Sequence, residues 1–233
     1  MIIEEIFNDV WKRRGKITIL FLGILMTIIG FAISYILFQG QFLPIVFFTT
    51  LALVPFVKLV FKDDMKTLDI TLVFFNLFIG MILVFIVIDS FFDIGSIVSF
   101  SLNIGQPYVN FSSILIHNTK LVFTSFLLSI LFGIGAIFIL TLNAAVIGQM
   151  FSTFFAANKM QYLLAFLPHT AVEFAAYLLA AVSGGLLVRA LTNKNKKFEE
   201  GVLQAAAFFS VSITAVILAA FLESFIMPVL AAM

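Results

Sequence analysis

The chain has 233 residues, of which 63% are hydrophobic and 11% charged, and its mean hydropathy is +1.20. A soluble domain is about half apolar and about a quarter charged, so this composition excludes an ordinary soluble domain and calls for lipid around the chain. A net charge of +1 gives no electrostatic ground for nucleic-acid binding, and the absence of cysteine excludes disulfides, thiolate nucleophiles and Cys-based metal sites.

Residues 1–16 are polar, and the run WKRRGK sets Lys12, Arg13, Arg14 and Lys16 against the first apolar segment, 17–38. That segment would be about 33 Å long as a helix, enough for a hydrocarbon core of about 30 Å. It is too long for a signal-peptide core, so it reads as a retained anchor. A second span is expected at 43–61, with Pro44 near its start and Pro55 inside it, and a third at 70–92. Residues 93–118 are mixed in polarity, with turn residues Gly95, Gly105 and Pro107, and read as an interfacial connection. Within it, NFS at 110–112 matches a glycosylation sequon, a weak three-residue signal.

A fourth span follows at 121–142. The next apolar stretch, 144–158, is about 22 Å long as a helix and reads as a short span. The sixth and seventh spans are expected at 170–191 and 202–227. The fold expected is therefore an all-α, polytopic transmembrane helical bundle of six full spans and one short one, forming a single membrane domain. If 144–158 crosses the bilayer, 11 of the 13 Lys and Arg residues lie on the N-terminal side of the membrane, leaving only Lys120 and Lys159 opposite. The positive-inside rule then puts the N-terminus in the cytoplasm and the C-terminus outside.

The chemistry concentrates in residues 165–187, AFLPHTAVEFAAYLLAAVSGGLL. His169 and Glu173 stand one helical turn apart. At about 100° per residue, His169, Glu173, Ala176, Ala180, Ser183 and Gly184 share one face. A face of small residues admits a second helix closely, so it is expected to turn into protein. His117, Asn118, Asp89, Asp93 and Glu223 come out near the same membrane surface as His169.

Four readings of the His169–Glu173 pair stay open. It can be internal glue between helices, a metal site completed by His117 and Asp89 or Asp93, a proton or ion relay, or a partner-binding site. Asn118 and Asn143 bracket the fourth span, where asparagine acts as a helix cap or bridges to His169 or Glu173. Gly133, Gly135, Gly148, Gly184 and Gly185 read as close-packing positions. No nucleophile-plus-base motif is present, and the H-x-x-x-E spacing is not the H-E-x-x-H of zinc proteases. An enzyme is therefore disfavoured, and no cofactor is expected.

The set ILIHN (114–118), GIG (133–135), LN (142–143), Gly148, LPHTAVE (167–173) and SGG (183–185) resembles the stage II sporulation protein M family over about residues 110–190. Asn118, Asn143, Gly148, His169 and Glu173 match the family pattern, whereas Ala144 and Thr170 stand where it has glycine. The resemblance implies a non-enzymatic scaffold that positions cell-envelope partners, a role linked to sporulation in part of the family. The expected partners are the bilayer and proteins at its outer face, with a homo-oligomer as a further option and no nucleic acid. A small ion or solute transporter or channel using His169 and Glu173 is the competing expectation.

Overall fold

Hydrocarbon offers no hydrogen bonds to a backbone, so an apolar chain satisfies its amides within helices. A computed structural model describes residues 16–62, 67–92, 110–132, 135–156, 160–192 and 198–231. Among these the structure is all-α, with no strand. The helices are α1 (Lys16–Phe38), α2 (Phe42–Lys62), α3 (Thr67–Phe91), α4 (Phe111–Phe132), α5 (Gly135–Ala156), α6 (Met160–Thr192) and α7 (Phe198–Ala231). Six of them are long and apolar enough to cross a membrane, and α2 adds a shorter described apolar stretch, Phe42–Phe56. Phe21, Phe47, Phe75, Leu127, Leu131, Leu203 and Phe221 are exposed, so the helices present apolar faces to acyl chains.

The chain groups into two compact units. One holds α1, α2, α3 and residues 136–149 of α5; the other holds α4, the rest of α5, α6 and α7. In the first unit, α1 and α2 form an antiparallel pair joined at Gln39 (φ 57°) and Gly40 (φ 74°). Left-handed backbone at Gly40 costs little because glycine has no Cβ. Helices α1 and α3 run parallel and touch backbone to backbone. A Cβ on Gly23 would collide with the Leu77 carbonyl, and one on Gly80 with the Leu20 carbonyl. Further along, the Phe92 ring meets Phe31 at 4.9 Å and Tyr35 at 5.8 Å. Helix α5 joins this unit through Gly148, which lies against Phe85, and through Thr141, whose Oγ1 is 3.4 Å from Met81 Sδ. Ile45, Phe56, Phe74, Leu77, Met81, Phe85 and Leu140 form the fully buried core here.

In the second unit, serine hydroxyls tie the helices together. Ser125 and Ser129 of α4 donate to the carbonyls of Tyr177 (3.2 Å) and Ala181 (2.7 Å) of α6. Both bonds span 52 residues, so α4 and α6 run parallel in one register. Ser183 of α6 donates to Ala205 of α7 (2.6 Å), and Ser212 of α7 donates to Ala176 of α6 (2.7 Å), which makes α6 and α7 antiparallel. Gly184 allows the close approach of α4 to α6, because a Cβ there would lie 2.6 Å from the Phe126 carbonyl oxygen.

Three boundaries differ from those read in the sequence. Helix α4 starts at Phe111, ten residues before the expected fourth span, because Asn110 caps it: Asn110 Oδ1 accepts from the Ser112 amide (3.4 Å) and its carbonyl from the Ser113 amide (2.8 Å). The expected short span at 144–158 is instead the later part of α5, a 22-residue helix, so Asn143 lies inside a helix and not at a cap. Helix α6 does not open at Pro168 but runs through it from Met160, so no free helix N-terminus sits at Thr170. Proline lacks the donor for residue i−4 and is tolerated within membrane helices where neighbouring groups compensate. Residues 93–109, including Asp93, and Lys159 lie outside the described residues.

Candidate functional site

The polar residues of α6 sit just past Pro168. His169 is buried (4% exposed), and its Nε2 is 3.4 Å from the hydroxyl of Thr170. One turn on, the half-buried Glu173 accepts at Oε1 a 2.7 Å hydrogen bond from the Tyr177 hydroxyl. Tyr177 is itself buried (2% exposed). Residues 169, 173 and 177 recur every four positions, so helical pitch alone stacks their side chains on one face.

Helix α4 supplies Asn118 on the same face as Val122, Ser125 and Ser129, all of them buried. Since Ser125 and Ser129 bond to α6, that face of α4 is the one turned to α6, and the shared register puts Asn118 level with Thr170. Asn118 is 3% exposed, and its amide nitrogen has no hydrogen-bond partner among the described residues. The neighbouring His117 is exposed on another face of the helix.

Helix α7 returns antiparallel, bringing Glu223 near its end back toward the Glu173 end of α6. Glu223 is half-buried. Neither carboxylate forms an ion pair with a Lys or Arg among the described residues. Lys120 is exposed on α4.

The structure thus assembles Asn118, His169 and Glu173 in the second unit. It leaves His117 outside that group. Asn143 belongs to the first unit, where its Nδ2 donates to the Ile139 carbonyl of its own helix at 2.8 Å. Gly148 packs in the first unit, Gly184 and Gly185 are buried on α6, Gly135 begins α5, and Gly133 lies outside the described residues. Among the described residues no three His, Asp or Glu side chains gather as a possible metal-holding group.

Sequence reasoning missed Tyr177, Ser125, Ser129 and Ser212. The signal for Tyr177 was available, since it stands at i+4 from Glu173. The serine bonds had no local signal, because each depends on the register between two helices.

Residues 70–228 match the family described as Stage II sporulation protein M. The chain belongs to that family. The match begins in α3 and runs into α7, so it takes in every residue of the polar cluster, while α1 and α2 lie outside it. An uncharacterized protein of Methanocaldococcus jannaschii is 31% identical over 130 residues, covering 52% of this chain and 73% of the relative. No solved structure matches. Membership in the Stage II sporulation protein M family and the helical architecture together describe a multi-pass membrane protein.

Proposed function

We propose that this chain is an integral membrane scaffold that positions cell-envelope partners at its extracytoplasmic side. The observation that carries this reading is the closed interior of the second unit beyond Glu173. From Ala176 to Leu186, every residue of α6 except Leu179 is buried. The polar groups there, Ser183 and the carbonyls of Ala176, Tyr177 and Ala181, are engaged in bonds between helices. A transporter needs a hydrated route past Glu173 across the bilayer; a scaffold needs only a formed outer end.

Helix directions support the membrane topology on which this reading depends. Within the first unit α3 and α5 run parallel to α1, and α2 runs against it. Within the second, α6 runs parallel to α4, and α7 runs against α6. Within each unit these relations are compatible with helices that each cross once. The positive-inside rule is the ground on which this reading takes the N-terminus as cytoplasmic and the His169 end as outside.

Two measurements test the proposal. The chain has no native cysteine, so single cysteines placed at Ile116 and His117 report sidedness and accept photo-crosslinkers. Discrete adducts with envelope proteins from these positions, and none from the lipid-facing Leu127, are expected. In proteoliposomes no proton or cation flux that depends on Glu173 is expected. Flux abolished by Glu173→Gln, with no crosslinks, would make the chain a transporter.

A further inference from the structure

We propose that α3 carries a self-association face, formed by Leu72, Asn76, Ile79, Leu83, Ile86 and Ser90, through which two copies of this chain pair in the membrane. The face goes beyond the scaffold reading and does not rest on it, because pairing needs only that both copies insert the same way.

Two sides of α3 are already occupied. Gly80 packs on α1 at the Leu20 carbonyl, and Phe85 meets Gly148 of α5. The remaining side is open. Leu72, Leu83 and Ser90 are exposed, and Asn76, Ile79 and Ile86 are half-buried. These residues follow one another at steps of four and three, so at about 100° per residue they lie within about 80° of one another. Such steps are the a/d repeat of paired helices, with Asn76, Leu83 and Ser90 at a and Leu72, Ile79 and Ile86 at d. Spacing alone marks a stripe; Asn76 decides what covers it.

Lipid does not suit Asn76. It stands about 9 Å along the helix from Ile70, inside the hydrocarbon. Its Nδ2 donates to the Leu72 carbonyl of its own helix at 2.7 Å. A carboxamide has a second N–H and a carbonyl oxygen, and acyl chains offer neither of them a partner.

A second copy does. Two copies inserted alike are related by a twofold axis along the membrane normal, so their α3 helices run parallel and each seam residue meets its own counterpart. A carboxamide is self-complementary. The free N–H and carbonyl of Asn76 pair with the carbonyl and N–H of Asn76 of the partner subunit. A single asparagine at an a position also fixes register, because only in-register pairing brings the two amides level. Leu72, Ile79, Leu83 and Ile86 pack above and below them. Asp69, one heptad before Asn76, is the one unfavourable neighbour. It is exposed at the first residue of the span, where water and salt screen its charge.

The test uses the full chain in lipid vesicles. The chain has no cysteine, so single cysteines can be placed on the seam, as Leu83→Cys, and on an exposed position of α7, as Leu218→Cys. Oxidation with copper phenanthroline is expected to give a disulfide-linked dimer from Leu83→Cys and none from Leu218→Cys. Energy transfer between donor- and acceptor-labelled chains, followed as lipid is added, measures the dissociation constant. Asn76→Leu should raise it by about tenfold or more. Asn76→Gln, which keeps the amide, should raise it less, and Asp69→Asn should lower it. If Asn76→Leu fails to fold, the Leu83→Cys crosslink decides. The proposal is overturned if the wild type is monomeric at every dilution, if Leu218→Cys crosslinks as readily as Leu83→Cys, or if Asn76→Leu pairs as tightly as the wild type. None of these outcomes bears on the capture of envelope proteins from Ile116 and His117 that tests the scaffold.

Discussion

Replacing Tyr177 by phenylalanine removes one oxygen atom and nothing else from a buried position. In the structure that oxygen donates a 2.7 Å bond to Glu173 Oε1, a short distance that marks a strong donor–carboxyl interaction. Hydrogen bonds to charged groups contribute about 1.5–3 kcal/mol in water-soluble proteins. Side-chain bonds between membrane helices average about 0.6 kcal/mol and reach about 1.7, because the separated helices find other partners. Here both groups sit on one helix, so the bond persists partly in the separated helix, and the lower scale governs. Tyr177→Phe should therefore destabilise the protein by about 0.6–1.7 kcal/mol, since it leaves a carboxyl oxygen without its donor. Glu173→Gln keeps an acceptor and should cost about half as much. Glu173→Leu combined with Tyr177→Phe removes both partners and should recover most of the loss, a coupling that a double-mutant cycle isolates. Reversible unfolding in mixed detergent micelles measures all four chains. A Tyr177→Phe variant within about 0.3 kcal/mol of wild type, or strictly additive single and double variants, would show that the bond contributes nothing.

Three further outcomes follow from the packing. Gly184→Ala places a Cβ 2.6 Å from the Phe126 carbonyl oxygen and 2.8 Å from Ser129 Cβ. Backbone must move, and a loss of about 1–3 kcal/mol is expected in the same unfolding assay; an unchanged stability would mean that α4 and α6 do not meet there. Ser125→Ala and Ser129→Ala each remove one bond between helices, at about 0.6 kcal/mol apiece, and a chain carrying both should lose close to the sum. Asn143→Ala gives up only a bond to its own helix at Ile139 and should change stability by less than about 0.5 kcal/mol, which unfolding beside Gly148→Ala, expected to clash with Phe85, will show.

Composition and hydropathy were enough to read an all-α membrane bundle, because apolar helices of spanning length leave a signal in every window. Boundaries between residues 93 and 168 were not legible in the same way. Phe111–Asn118 looks loop-like by polarity, yet its polar groups divide by face: Asn110, Ser112 and Ser113 make the cap, His117 points out, and Asn118 is buried toward α6. Asn143 looked like a break because asparagine favours helix ends. In the structure its amide bonds the Ile139 carbonyl, which lets the helix carry it through the core. Pro168 looked like a start for the same kind of reason, and α6 absorbs it.

Helical phase put His169 and Glu173 on one inward-turned face, but phase within one helix is silent about the neighbours that face meets. Tyr177 could have been added by counting four residues further. Asn118 and Glu223 could not, since their placement follows from the α4–α6 register and the antiparallel return of α7, which Ser125, Ser129, Ser183 and Ser212 set. The serines therefore decide the geometry of the cluster although none is part of it. A variant that slips the α4 register by one turn would carry Asn118 away from the level of Thr170 while leaving every cluster residue in the chain.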